Sequence, residues 1–381
     1  MPRYVIDEAA LRRNLEILKD VSDRSGAKIL LAQKAYSCAA TYPLCAKYLA
    51  GTTASSLFEA RHGHDNFGGE THVFSPAFIP EEMDELLSLV DHIVFNSPRQ
   101  IEKFGDMARS RGVSVGLRVN PEVSVATTPA YDPCRPSSRL GTPRSAINPQ
   151  LITPNSQLIT PNSPLPTLSG LHFHCLCEQG LDELKKVLKG FEEKFGDMLP
   201  GLEWVNFGGG HHITREGYDV EGLVALIRDF RERHPNLTVY LEPGEAIALN
   251  AGTLESRVLE IQPKGEDGTA NAILDVSAAC HMPDVLEMPY TPRVTGANGG
   301  AFVYRFGGPT CLAGDEIGVY AFDHELHEGD QVVFEDMAIY SMVKNNTFNG
   351  VNLPDIAIRH EDGTIETLRT FNYSDFSHRL A

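Results

Sequence analysis

Two hydrophobic spacings alternate along residues 1–241. Short apolar runs of strand length fall at 28–31, 52–55, 72–74, 92–95, 115–119, 170–174, 204–207 and 239–241. Between them lie stretches with apolar positions three and four apart, as helices burying one face require. Asp7 stands as a helix N-cap before Leu11, Leu15 and Leu18, which share one face. Ser97-Pro98 opens a second helix with Ile101, Phe104 and Ala108 inward. A third carries Leu181, Leu184, Leu188 and Phe191, and a fourth Val220, Leu223, Leu226, Ile227 and Phe230. Eight strands alternating with helices predict an α/β fold, a (β/α)8 barrel of the TIM type.

The rhythm changes after Leu241. Runs at 254–261, 272–276, 301–306, 331–335, 339–343 and 355–359 read as strands separated by Gly, Pro and Asp turns, predicting a C-terminal β-rich domain, a barrel or sandwich. The predicted domains are a barrel over 10–247 and a β domain over 248–381 that takes in residues 1–9. Residues 143–167 interrupt the barrel with a proline-rich insertion in which Gln150 to Ser156 recurs as Gln157 to Ser163. Prolines at that density exclude helix and central strand, so the insertion reads as a loop, with a duplication in a tolerant surface segment favoured over a lid.

The chain has 381 residues, enough for about two domains, and a formal net charge of −18. That sign argues against nucleic acid or an anionic membrane as partner and suits a cationic small molecule. Neither a signal segment nor an apolar run of membrane-spanning length is present, and seven unevenly spaced cysteines make no disulfide framework. A cytoplasmic location is expected. No metal site is expected: His62, His64, His211 and His212 lack companions at ligand spacing and read as solvated or structural.

In a barrel of this kind the chemistry gathers beyond the carboxyl ends of the strands. Lys34 ends the first run, His174 the sixth, Gly208-Gly209-Gly210 follows the seventh and Glu242-Pro243-Gly244 the eighth. Consecutive glycines let backbone N–H groups approach a phosphate. A lysine able to form an imine, a phosphate cradle and a carboxylate for a pyridine nitrogen together suggest pyridoxal 5′-phosphate.

Seven motifs in order carry a resemblance over nearly the whole chain: Gln33-Lys34-Ala35, Ser138-Arg139-Leu140-Gly141, Gly170-Leu171-His172-Phe173-His174, Asn206-Phe207-Gly208-Gly209-Gly210, Glu242-Pro243-Gly244, Gly308-Pro309-Thr310-Cys311 and Phe334-Glu335-Asp336-Met337. The chain resembles the alanine-racemase-like, fold-type III pyridoxal phosphate decarboxylases of basic amino acids. His174-Cys175-Leu176-Cys177-Glu178 and the segment from Cys280 to Tyr290 resemble the branch acting on carboxylated polyamines in polyamine biosynthesis.

The resemblance implies that Lys34 holds the cofactor aldehyde, His174 stacks on its ring and Glu242 binds its nitrogen. Gly208, Gly209, Gly210 and Tyr340 would hold the phosphate. His172 is expected only to support them. Cys311 would serve catalysis from the partner subunit, so a homodimer is implied, with Arg139 and Asp315 pairing between subunits. Glu245 stands where many relatives carry arginine, and Leu312 where several carry an acidic residue. These departures favour a polyamine read by Glu245, Asp284 and His281 through charge-assisted hydrogen bonds. Diaminopimelate or another basic amino acid remains an alternative substrate, and a non-catalytic regulator on the same scaffold a third reading.

Overall fold

The computed structural model describes residues 2–147 and 168–380, so the duplicated segment 150–163 lies outside the described residues. The chain divides into two compact units, one of Asn14–Ile247 and one of Met1–Arg13 with Ala248–Ala381.

The strands, in chain order, are β1 Arg3–Asp7, β2 Lys28–Ala32, β3 Gly51–Ala54, β4 Glu70–Phe74, β5 His92–Phe95, β6 Ser114–Asn120, β7 Thr142–Pro143, β8 Gly170–His172, β9 Trp204–Asn206 and β10 Thr238–Leu241. Within the first unit β2, β3, β4, β5, β6, β8, β9 and β10 pair in parallel, and β5 joins β6 to close an eight-stranded barrel. The short β7 adds to β6 outside the circuit. All eight strands expected in the barrel are present. The helices Pro98–Ser110, Leu181–Phe195 and Val220–Arg233 bury the expected faces; Ser97 caps the first through its side chain, and Asp219 the last. In the helix Glu8–Ser25, Leu11, Leu15 and Leu18 are fully buried, and Asp7 Oδ1 accepts the Ala10 N–H at 2.8 Å, as a cap should.

The second unit is a mixed sheet built on β11 Gly252–Gln262, β12 Ala270–Leu274, β13 Phe302–Gly307, β14 Glu316–Phe322, β15 Gln331–Glu335, β16 Asp355–Arg359 and β17 Ile365–Arg369. β1 lies within it, antiparallel to β11 and parallel to β16. Residues 339–343, expected as strand, instead turn and enter the helix Ser341–Lys344. The reason is Tyr340, whose φ of +51° no strand residue adopts. β14 and β17 are strands that the apolar runs did not announce.

Candidate active site

Lys34 sits in the turn two residues beyond β2, and His174 two residues beyond β8, so both emerge at the carboxyl end of the barrel. The backbone ties the neighbouring loops together there. Ala32 N–H donates to the Pro243 carbonyl at 3.0 Å, and Glu242 N–H to the Gly208 carbonyl at 2.7 Å. A cavity of about 370 Å³, counting its open mouth, is lined by Lys34, Arg118, His172, His174 and Glu242, with Phe74 among the apolar residues.

Glu242 is held from two sides. His172 Nε2 lies 3.1 Å from Oε2, and Asn206 Nδ2 donates to Oε1 at 2.8 Å. Burial alone would raise this carboxyl's pKa, but the charge and hydrogen bond of His172, with Asn206, outweigh it and hold the group down at about 2. Burial lowers the pKa of His172, against the charge and hydrogen bond of Glu242, which raise it. His172 meets Glu242 because strand alternation aims it into the barrel.

His174 is oriented by the glycine loop: Gly209 N–H donates to His174 Nδ1 at 2.9 Å, which puts the ring proton on Nε2. Burial, with Lys34 and Arg118 adding to it, holds this imidazole well below its ordinary pKa. Burial also lowers the Lys34 ammonium; Arg118 adds to the effect and Glu242 opposes it. An amine depressed in this way is a nucleophile at neutral pH.

The glycine loop departs from expectation in detail. Of the three amides expected to face a phosphate, Gly208 N–H is taken by Asn206 Oδ1 at 2.8 Å and Gly209 N–H by His174. The Gly210 amide, and that of Gly244, meet no acceptor among the described residues. Side chains are excluded from the loop. A Cβ on Gly209 would stand 2.1 Å from the Glu242 carbonyl oxygen, and one on Gly210, at φ +86°, 2.0 Å from that of Leu176. A depressed lysine, an ionised carboxylate across one cavity and a loop with open amides fit pyridoxal 5′-phosphate.

Arg118 is a residue the sequence reading passed over. It points inward from β6, is 5% exposed, donates Nη2–H to the His174 carbonyl at 3.0 Å and lies over the Phe74 ring at 4.5 Å. Arginine inside an apolar strand run was the only signal for it. Glu245, expected to be free for a cation, accepts from His212 Nε2 at 2.5 Å.

Cys311, Tyr340, Asp284 and His281 belong to the second unit. Cys311 is exposed, and its N–H donates to Asn349 Oδ1 at 2.8 Å. Asp315 corrects one expectation, since it is 4% exposed and committed inside its own chain. It accepts from Ser277 Oγ at 2.8 Å, Thr310 Oγ1 at 2.6 Å and Ala279 N–H at 3.1 Å. Its part is to fasten the loop that carries Cys311. Arg139 is exposed.

His281 corrects another. It is fully buried, its Nδ1 accepts the Ser277 N–H at 3.2 Å, and its Nε2 donates to the Asn352 carbonyl at 3.0 Å, so no ring atom is left for a substrate. Burial holds it down at about 4. Asp284 forms an ion pair with Lys344, which also reaches Glu287. Among the described residues no helix is long and apolar enough to cross a membrane.

Residues 3–338 match the model of a family described as pyridoxal-dependent decarboxylase, C-terminal sheet domain. The chain belongs to the pyridoxal-dependent decarboxylases. It is 42% identical, over 99% of its length and 98% of the relative's, to a carboxynorspermidine/carboxyspermidine decarboxylase of Campylobacter jejuni. To a carboxyaminopropylagmatine decarboxylase of Synechocystis it is 41% identical over 100% of this chain and 95% of that one. The crystal structure of carboxynorspermidine decarboxylase with norspermidine from Campylobacter jejuni superposes with a TM-score of 0.87 at 40% identity, covering 100% of this chain and 99% of that chain. The barrel with a separate mixed sheet is the architecture of these decarboxylases, and the chain is a carboxy-lyase.

Proposed function

We propose that this decarboxylase binds pyridoxal 5′-phosphate and removes the α-carboxylate of carboxynorspermidine or carboxyspermidine, releasing norspermidine or spermidine. The observation that carries the reading is that Lys34, His174 and Glu242 line one cavity, with Glu242 held between His172 and Asn206. Bound there, the cofactor supplies an electron sink for the pair released when the Cα–carboxylate bond breaks.

The chain's residues do the rest. Lys34, its ammonium pKa lowered by burial, would hold the cofactor covalently through its amine. Glu242 keeps a proton on the pyridine nitrogen, and His172 and Asn206 hold Glu242 in place. His174, its edge fixed by Gly209, covers one ring face and keeps water from it. Gly210 and Gly244 would offer their open amides to the phosphate. Exposed Cys311 serves the partner's site in a homodimer, holding the proton that replaces the carboxylate. Glu245 and Asp284 each already hold a cationic or hydrogen-bonding partner, His212 and Lys344, which a polyamine ammonium would displace or share. Seven unevenly spaced cysteines that make no disulfide framework favour a reducing compartment such as the cytoplasm.

A second substrate, carboxyaminopropylagmatine, is favoured by the nearly equal identity to the Synechocystis relative. Carbon dioxide release by the cofactor-loaded protein tests both. We expect turnover of the carboxylated triamines, and a side-by-side assay with carboxyaminopropylagmatine ranks the two. Turnover confined to meso-diaminopimelate or ornithine would overturn the polyamine assignment.

A further inference from the structure

Arg118 leaves β6 in register with His172 of the neighbouring parallel β8, so both side chains point into the barrel, where Arg118 ends in the cavity that Lys34, His174 and Glu242 also line. A guanidinium carries five N–H donors in a rigid plane and keeps its charge inside a protein. One donor is used, the Nη2–H given to the His174 carbonyl at 3.0 Å, and among the described residues no carboxylate forms an ion pair with the group. Glu242, though within electrostatic reach, has both oxygens engaged, one facing His172 and the other Asn206. The Phe74 ring, its centroid 4.5 Å from the guanidinium carbon, offers the cation a π face but no lone pair for its N–H groups. A buried cation with most of its donors open costs stability unless a ligand completes it. The reaction proposed above gives Arg118 no part.

The identity of that ligand rests on the cofactor reading above. In pyridoxal 5′-phosphate the ring nitrogen stands para to the carbon that bears the aldehyde, so Glu242 and Lys34 mark the two ends of one ring axis. The two edges beside that axis are unlike. One carries the phosphate arm, and the other carries the phenolic oxygen next to the aldehyde. The open amides of Gly210 and Gly244, in the loops after β9 and β10, take the phosphate edge. Arg118 enters from β6, which β8 separates from β9, and lies within electrostatic reach of both Lys34 and Glu242. We propose that Arg118 binds the phenolic oxygen of the cofactor as an anion, through the N–H groups that the His174 carbonyl leaves open. Such charge-assisted N–H···O⁻ pairs are among the stronger hydrogen bonds, and a water-poor cavity strengthens them further. The oxygen anion answers the guanidinium charge, and the His174 carbonyl holds the guanidinium in place. After burial, the charge of Arg118 is also what lowers the Lys34 ammonium, favouring its amine form. One side chain thus serves both the lysine that makes the covalent link and the oxygen beside the carbon it joins.

The test compares pyridoxal 5′-phosphate with 3-deoxypyridoxal 5′-phosphate, which lacks that oxygen and keeps the aldehyde, the ring nitrogen and the phosphate. Cofactor is removed from the purified enzyme with hydroxylamine, and each aldehyde is returned by equilibrium dialysis with no substrate present. The parent should prefer the natural aldehyde by on the order of 10²-fold, and Arg118→Met should cut that preference by about tenfold or more. Loss of the His174 contact or of the charge beside Lys34 weakens both aldehydes alike, so the ratio isolates the oxygen. A ratio unchanged in Arg118→Met overturns the assignment, whether or not a raised KM then places the residue on the substrate's carboxylate. Should Arg118→Met not fold, Arg118→Lys decides. It keeps the cation without the planar fork, so the preference should fall roughly fivefold, and an unchanged ratio overturns the assignment. A parent chain that takes up neither aldehyde overturns the cofactor reading and this assignment with it, whereas uptake of both with the ratio unmoved by substitution overturns this assignment alone.

Discussion

His172 and Glu242 meet at 3.1 Å inside the barrel, an imidazole against a carboxyl whose pKa it helps to hold down at about 2. The charge set against the pyridine nitrogen is therefore assembled before any cofactor arrives. Glu242→Gln should retain the cofactor and lose turnover by on the order of 10²-fold or more, the scale of removing a preorganised charge. His172→Asn should cost less, about tenfold, and should move the acid limb of the kcat profile upward, because Glu242 would lose the partner that lowers its pKa. A pH profile unmoved in His172→Asn would reduce that histidine to packing.

Lys34→Ala should abolish covalent retention of the cofactor. Borohydride reduction followed by mass measurement should find the added mass on the parent chain and none on the variant. The same treatment of Glu242→Gln should still label Lys34.

Cys311→Ala should keep the cofactor and lower turnover by about 10²-fold, the ordinary contribution of a general acid. If the cysteine serves the partner's site, mixing Cys311→Ala with Lys34→Ala chains regenerates one complete site in each mixed dimer. Random exchange then restores roughly a quarter of parental activity. No recovery on mixing would place Cys311 in its own chain's site or outside catalysis.

Gly209→Ala asks whether the loop tolerates a side chain. Its Cβ would collide with the Glu242 carbonyl oxygen, so the loop must move, and His174 would lose the amide that sets its ring. Weaker cofactor retention, by about tenfold or more in equilibrium dialysis, is the expected result.

Stability should fall in acid through buried histidines. His281 and His211 are held by burial at about 4, below the ordinary value near 6.5. A base with a depressed folded pKa contributes stability that is present above about 6.5 and lost as pH falls towards about 4, up to roughly 3 kcal/mol each. Glu242, depressed to about 2, adds a loss that begins only below the ordinary carboxyl range. Urea midpoints between pH 7.5 and 4 should therefore decline, and His281→Asn should decline less steeply. An equal slope would show that His281 accepts a proton without unfolding.

Much of this was legible in the residues. The barrel strands are apolar runs bounded by turn residues, and the site lysine, histidine and glutamate stand just past their ends, so periodicity alone brought them to one mouth. What escaped was context. Ile339-Tyr340-Ser341-Met342-Val343 has the composition of a strand, yet Tyr340 adopts φ +51° and breaks it. His281 stands three residues before Asp284, but Ser277 and Asn352 use both its nitrogens. Arg118 lies in a strand whose partners only the barrel's closure supplies.

The placement of β1 between β11 and β16 has a kinetic side. Its partners are made some 250 and 350 residues after it, so a growing chain must hold a nearly apolar strand, Tyr4-Val5-Ile6, unpaired while the whole barrel is synthesised. Contacts of such separation are slow to form and leave edges open meanwhile. Bulky fusions at the N-terminus should therefore harm yield more than fusions at the C-terminus, by delaying the last strand to enter its sheet.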